Sequence, residues 1–326
     1  MTVRAFFDAI KIDTAAAPYD TMTLKLFYPA KLGDTAEERN TGVVPADAEL
    51  APFPVVVFMP GINCGTEAYQ WLAVEIAQRG FVVVLFTWIA EEMPGYISLT
   101  PGVDLQALKA GNYGSKPTSP ALPAIFTALE KFQHSGRLAG LLDLERIILG
   151  GHSAGGTMAL QNVNNSWFPQ VVAGFAYGGH TAASTLLGYE AGTILPIDSE
   201  RPLLIIGGTQ DGVIAASSGR YGAESDPTLP VKRTFHEAVT GGQNHAYLLF
   251  LEGGNHFSLA YPKDETTGRP FIDWPETVAG ETLRRFLGEV IVAFVDGYGR
   301  GATTALTTLH KKLDARNPLI AAVERK

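Results

Sequence analysis

A serine flanked by glycines separates a short apolar run from a helix-forming run, and this junction restricts the fold of the 326-residue chain more than any other stretch. The sequence there is Gly151-His152-Ser153-Ala154-Gly155, directly after Ile147-Ile148-Leu149. Glycines two positions before and two after the serine let a strand and a helix approach each other, because they carry no side chains that would collide. The pattern predicts a tight strand–turn–helix junction with the Ser153 hydroxyl raised out of a sheet.

A serine on such a turn is suited to nucleophilic attack. The first N–H groups of the following helix face the turn, and the helix dipole stabilises negative charge that develops there. The G-x-S-x-G pattern in this context is typical of a nucleophile elbow. Because the chain has 35 glycines, a chance match of this pattern is the competing interpretation. The presence of a suitable acid and base later in the chain distinguishes the two interpretations.

An acid and a base follow two later strand-like runs. Asp211 lies just past the apolar part of Arg201–Gly212, and His256 lies just past the apolar part of Ala246–Phe257. In open α/β sheets, sites form outside the carboxyl ends of the strands, so both side chains should meet Ser153 at one edge. The order Ser, Asp, His predicts a triad in which His256 is the general base and Asp211 orients it.

The other carboxylates and histidines of this half are less well placed. The alternative acids lie in polar or proline-flanked loops, and they are Glu190, Asp198, Glu200 and Asp226. His245 precedes its strand and belongs at the opposite end of the sheet. His236 falls in a helix-like stretch and His310 in a basic segment.

Two backbone N–H groups are candidates for binding the oxyanion of an acyl-transfer reaction. One belongs to Ala154, the residue after the nucleophile, and the other is expected in the loop after an earlier strand. The apolar run Phe53–Met59 ends at Pro60-Gly61, where the glycine lets the chain turn so that the Ile62 N–H faces the site. Cys64, the one cysteine, lies in this loop, and a small buried side chain is favoured over a second nucleophile.

With these residues the chain resembles the α/β-hydrolases, and more narrowly the branch of chlorophyllases, bacterial cutinases or polyester hydrolases, and platelet-activating-factor acetylhydrolase-like lipases. The resemblance covers about residues 20–298. Its main stretches are Val55–Gly61, Arg79–Val84, Gly151–Gly156, Gly207–Asp211, Gly254–Phe257 and Leu283–Val295. It implies an α/β-hydrolase fold, with a mostly parallel central sheet flanked by helices on both faces, and serine-ester chemistry. Ser153 departs from dienelactone-hydrolase relatives, which carry Cys, and Ala154 replaces a larger basic residue of chlorophyllases, which argues against chlorophyll as substrate.

Composition narrows the class further. A hydrophobic content of 46% with 18% charged residues suits a substantial core, and a net charge of −8 gives no reason to expect nucleic acid or an anionic membrane as partner. No run approaches the roughly 20 apolar residues of a membrane span. We find no nucleotide-binding fingerprint and no metal-ligand spacing, so we expect neither cofactor nor metal. One cysteine and no signal-peptide pattern predict a cytoplasmic protein, with secretion left open if a leader has been removed.

The alternation of strands and helices does not reset over residues 1–326, which predicts one domain. Residues 31–52 are polar and are expected to form a surface loop. Residues 87–117 are apolar and rich in turns, and they follow a strand's carboxyl end. We interpret them as a wall of the substrate pocket rather than a packed loop, with four candidate contact residues: Trp88, Met93, Tyr96 and Ile97.

A segment from about residue 301 lies beyond the last helix that the resemblance requires. Ala302–Arg325 is helix-compatible and interrupted by Pro318. The sequence leaves open whether it packs on the core or mediates self-association.

These observations predict a serine carboxylic-ester hydrolase that acts through an acyl-enzyme on an uncharged, hydrophobic, small-molecule ester. A thioesterase, an amidase or a peptidase would use the same triad and stays an alternative. A noncatalytic ligand-binding module with this fold is the alternative from another class.

Overall fold

Ten strands form one mixed β-sheet in the computed structural model, which describes residues 1–93, 95–222, 225–240 and 245–326, without the side chains of Glu92 and Met93. Across the sheet the strands are β1 (Thr2–Lys11), β2 (Thr21–Ala30), β4 (Val82–Met93), β3 (Phe53–Met59), β6 (Leu142–His152), β7 (Val171–Tyr177), β8 (Leu203–Gly208), β9 (Ala246–Leu251) and β10 (Ile320–Arg325). The short strand β5 (Tyr96–Leu99) pairs with the end of β4.

The six central strands, from β4 to β9 across the sheet, are parallel, whereas β1, β2 and β10 run antiparallel to their neighbours at the two edges. The central strands are continuous apolar runs because both faces of a parallel sheet are covered. In β3, Val55 and Val57 enter one buried cluster, while Val56 and Phe58 enter the other. This alternation divides the core into one layer on each face of the sheet.

Helices cover both faces. In chain order they are α1 (Ala36–Thr41), α2 (Gln70–Ala77), α3 (Ala121–His134), α4 (Ala154–Gln161), α5 (Gly212–Ser217), α6 (Leu229–Arg233), α7 (Gly280–Gly299) and α8 (Thr303–Asp314). Buried side chains of α3 and α4 belong to the first core layer, and those of α2, α7 and α8 belong to the second. Among the helices of the described residues, none combines the length and apolar character needed to cross a membrane.

Three segments differ in detail from their sequence expectations. Residues 31–52 are largely exposed but contain α1, which a Thr35–Glu38 capping box stabilises. Residues 87–93 continue β4 and residues 96–99 form β5, so neither stretch is an irregular insertion. The prediction of helix up to Arg325 is wrong beyond α8, because the chain after Pro318 forms the edge strand β10 against β9.

Candidate active site

The elbow at Ser153 has the strained backbone that its glycines predict. Ser153 lies between β6 and α4 with φ 55° and ψ −125°, a conformation that side-chain-bearing residues rarely adopt. A Cβ atom on Gly155 would collide with the backbone carbonyls of Met59 and Pro60, and one on Gly151 would collide with the Gly155 backbone. The close approach of α4 to β3 and β6 therefore requires glycine at both positions.

The three residues at the strand ends form a continuous hydrogen-bonded chain. His256 Nε2 lies 2.8 Å from Ser153 Oγ, and His256 Nδ1 lies 2.8 Å from Asp211 Oδ2. Asp211 is fully buried at the N-cap of α5, where its Oδ1 accepts the Ile214 N–H at 2.8 Å. Because Asp211 uses one oxygen for the helix and the other for His256, the fold fixes both the carboxylate and the imidazole.

The environment of His256 favours its protonated form. Burial, the largest single influence, lowers its pKa, but the charge of Asp211, the Asp211 hydrogen bond and the charge of Asp273 together raise the pKa above its usual value. The Arg269 charge opposes this increase. An imidazole with a raised pKa is a stronger proton acceptor when it is neutral.

Neither predicted oxyanion donor has a competing acceptor among the described residues. Ala154 is the first residue of α4, so no earlier helical carbonyl is available to its N–H. The Ile62 N–H likewise makes no hydrogen bond within the described chain, whereas its neighbours Gly61 and Asn63 donate to Tyr69 Oη and to the Leu99 carbonyl. Asn63 has φ 59°, and β5 supports this turn through the Asn63–Leu99 contact.

His152 connects the turn at Ser153 to the loop of His256 and, through Tyr69, to the turn after β3. The sequence did not indicate this role. His152 Nε2 lies 2.8 Å from the His256 carbonyl oxygen, and His152 Nδ1 lies 2.8 Å from Tyr69 Oη. A carbonyl only accepts, so Nε2 carries the proton and Nδ1 accepts the Tyr69 O–H. Tyr69 Oη in turn accepts the Gly61 N–H at 3.0 Å. Burial, followed by the His256 charge, lowers the pKa of His152 to about 3, so this network holds a neutral imidazole.

Asp273 is a partly buried carboxylate near the triad, and the sequence did not indicate it either. Its Oδ1 accepts the Gly212 N–H at 2.9 Å, next to Asp211, and its Oδ2 accepts the Phe257 N–H at 3.3 Å, next to His256. Burial is the main reason that its pKa is raised. Asp273 therefore connects the loop that contains Asp211 to the loop that contains His256.

The alternative acids and bases of the sequence bind elsewhere. Asp198 accepts from Asn164, and Asp226 accepts backbone N–H groups at the start of α6. The remaining histidines have partners away from Ser153: His236 with Glu324, His245 with Tyr298, and His310 with Tyr247.

The four candidate residues of the predicted pocket wall differ in their surroundings. Trp88 is a core side chain, 5% exposed, and its indole N–H donates to the Tyr19 carbonyl rather than lining an open cleft. Tyr96 and Ile97, on β5, are 43% and 56% exposed, so their contact with substrate stays a prediction. The Met93 side chain lies outside the described residues.

Cys64 is half-buried in the turn that follows β3. Burial is the main reason that the pKa of its thiol is raised, so the thiolate needed for nucleophilic attack is disfavoured. No group of three or more His, Cys, Asp or Glu side chains suited to hold a metal ion occurs in the described part of the chain.

A comparison with models of known protein families gave no match, and a comparison with curated proteins gave none. The chemical character of the site is therefore inferred from the geometry around Ser153.

Proposed function

We propose that this protein is a serine carboxylic-ester hydrolase of the α/β-hydrolase fold that works through an acyl-enzyme. The observation that carries the proposal is the Ser153–His256–Asp211 chain, with both contacts at 2.8 Å. The parallel centre of the sheet and the positive φ of Ser153 support the same fold and the same elbow. The resemblance to chlorophyllases, cutinases and acetylhydrolase-like lipases belongs to this proposal as well.

In the first half of the reaction, Ser153 Oγ attacks the acyl carbon as its proton passes to His256 Nε2. Asp211 keeps the proton on Nδ1 and stabilises the imidazolium that results. The N–H groups of Ile62 and Ala154 hold the oxyanion of the tetrahedral intermediate, and each such donor typically contributes about 10²–10³ in turnover. The intermediate then expels the alcohol, which takes the proton from Nε2.

In the second half, water attacks the acyl-enzyme and His256 accepts its proton. The second oxyanion collapses in the same N–H pair, and Ser153 Oγ leaves with the proton returned from Nε2. The acid product and the free enzyme result, so the same three side chains serve both halves.

A thioester or an amide would react through the same steps, and a binding module would carry out none of them. One panel separates these functions: p-nitrophenyl esters, acyl-thioesters and p-nitroanilides of one acyl chain, each assayed with wild type and Ser153→Ala. We expect the ester to have the highest kcat/KM and the variant to lose its hydrolysis. Faster turnover of the thioester would indicate a thioesterase, and faster turnover of the anilide would indicate an amidase or peptidase. Absence of Ser153-dependent turnover of any substrate would favour the binding module.

A further inference from the structure

Two arginines beside the site have no carboxylate partner among the described residues. Arg269 is half-buried, and its Nη1 donates to Ser217 Oγ at 3.2 Å. Arg220 is exposed and lies in the short 3-10 helix Ser218–Tyr221 that follows α5. The arginine ion pairs of the described chain involve neither residue, and Glu224 lies outside that part. Burial and then the Arg220 charge lower the pKa of Arg269, so the two guanidinium groups repel each other.

Residues 267–274 bring Arg269 to the edge of the site. Thr267 Oγ1 donates to the Asn63 carbonyl at 3.0 Å, and Gly268 packs against the Ile62–Asn63 turn. At the other end of the segment, Asp273 accepts the Gly212 N–H beside the triad carboxylate. Arg269 therefore lies in a segment that contacts the Ile62–Asn63 turn at one end and the loop of Asp211 at the other. Its charge lowers the pKa of His256.

One polar atom without a partner among the described residues lies between these arginines and the triad. His180 follows β7, and its ring packs edge-on against Tyr221 with centroids 4.6 Å apart. Its buried Nδ1 has no hydrogen-bond partner in the described residues. Burial lowers the pKa of His180 to about 4, while Asp211 and His256 are the charged groups that act on it. The neutral imidazole therefore adds no further positive charge beside the two arginines.

We propose that Arg269 and Arg220 form an anion subsite for a carboxylate at the far end of the substrate's acyl chain. The inference rests on the proposed esterase function and names its substrate class: the half-ester of a dicarboxylic acid. A bound carboxylate relieves the repulsion between the cations and accepts charge-assisted, bidentate hydrogen bonds from the planar guanidinium of Arg269. The sequence suggested an uncharged ester because loop arginines carry no pattern that shows which site they face.

Two substrates of equal chain length test the subsite: mono-p-nitrophenyl glutarate, which ends in a carboxylate, and p-nitrophenyl pentanoate, which ends in a methyl group. The measured quantity is the ratio of their kcat/KM values. We expect wild type to favour the glutarate ester, and Arg269→Gln to lower the ratio by about 10- to 100-fold, the effect of one charge-assisted hydrogen bond. Arg220→Gln, at an exposed position that tolerates substitution, should lower it less. Arg137→Gln, which lies over the Phe6 ring, should leave it unchanged.

The outcomes distinguish the subsite from the reaction. If wild type hydrolyses the pentanoate ester but has no preference for the glutarate ester, the subsite is wrong and the esterase function stands. The same holds if neither arginine variant changes the ratio. If wild type hydrolyses neither ester, the proposed function fails and the subsite fails with it.

Discussion

The interior of the candidate site and its rim differ in how their charged groups are paired. In the interior, Asp211 and His256 are almost completely buried, and each polar atom of the pair has a partner within 2.8 Å. At the rim, Arg269 and Arg220 are accessible to solvent and have no carboxylate partner in the described chain. Buried charges must be paired to be stable, whereas rim charges can stay unpaired in water. We infer that the interior determines the reaction and the rim determines the substrate.

The largest effect should come from the interior. Ser153→Ala removes the nucleophile and should lower kcat by about 10⁶, with a residual rate that the oxyanion donors and binding provide. Ester hydrolysis and circular dichroism of the variant measure activity and fold separately. Near-normal turnover by a folded variant would contradict the assignment of the reaction to the interior, because another residue would have to be the nucleophile.

Next in size is the acid of the interior. Asp211→Asn should lower kcat by about 10⁴, since an amide cannot hold the Nδ1–H tautomer of His256 in the same way. Asp198→Asn is the matched control because Asp198 contacts Asn164 and not the triad. A greater loss in the control than in Asp211→Asn would show that the acid has been assigned to the wrong strand end.

A smaller effect should follow from the network behind the triad. Tyr69→Phe removes the hydroxyl that joins the Gly61 N–H to His152 Nδ1, so the oxyanion loop loses a support. We expect kcat to fall about 10-fold, the effect of one buried hydrogen bond, with little change in KM. Tyr247→Phe, whose hydroxyl contacts Tyr298 and His310 at the opposite side, is the control. Equal losses in both variants would indicate general destabilisation.

The smallest expected effect is a shift in the pH dependence of kcat/KM, which reports how the Arg269 charge at the rim acts on His256 in the interior. His256 accepts a proton only when neutral, so kcat/KM should fall as pH decreases through its pKa, at a midpoint above the usual 6.5. Arg269 lowers that pKa, so Arg269→Gln should move the midpoint upward. Asp211→Asn removes the charge that raises the pKa and should move the midpoint downward. A flat profile from about pH 5 to 9 would contradict His256 as the base.

The contact among Ser153, His256 and Asp211 could be predicted because each of these residues has a local signal in the sequence. Ser153 directly follows β6, Asp211 and His256 lie within five residues of the ends of β8 and β9, and the chain order then leaves few alternatives. The partners of these residues have no such signal. Tyr69 and His152 are 83 residues apart, and Asp273 meets Gly212 across 61 residues, so only the folded chain brings them together.

Edge strands also escaped prediction. β10 contains Ala321, Ala322, Glu324 and Arg325, residues that favour helices, and nothing in this stretch shows that β9 has a free edge. Pairing with β9 overrides the local preference, as is common for strands. β1 likewise pairs only with its neighbour β2, a contact that residues 2–11 alone do not indicate.

The most direct test of the account is covalent labelling of the interior nucleophile. Wild type, Ser153→Ala and His256→Ala are incubated with a fluorophosphonate probe, and intact-mass spectrometry with peptide mapping locates the adduct. We predict one adduct on Ser153 in wild type, none in Ser153→Ala, and strongly slowed labelling in His256→Ala, because the serine is activated by the imidazole. Absence of an adduct in wild type, or equal labelling of wild type and Ser153→Ala, would contradict the claim that Ser153 is an activated nucleophile.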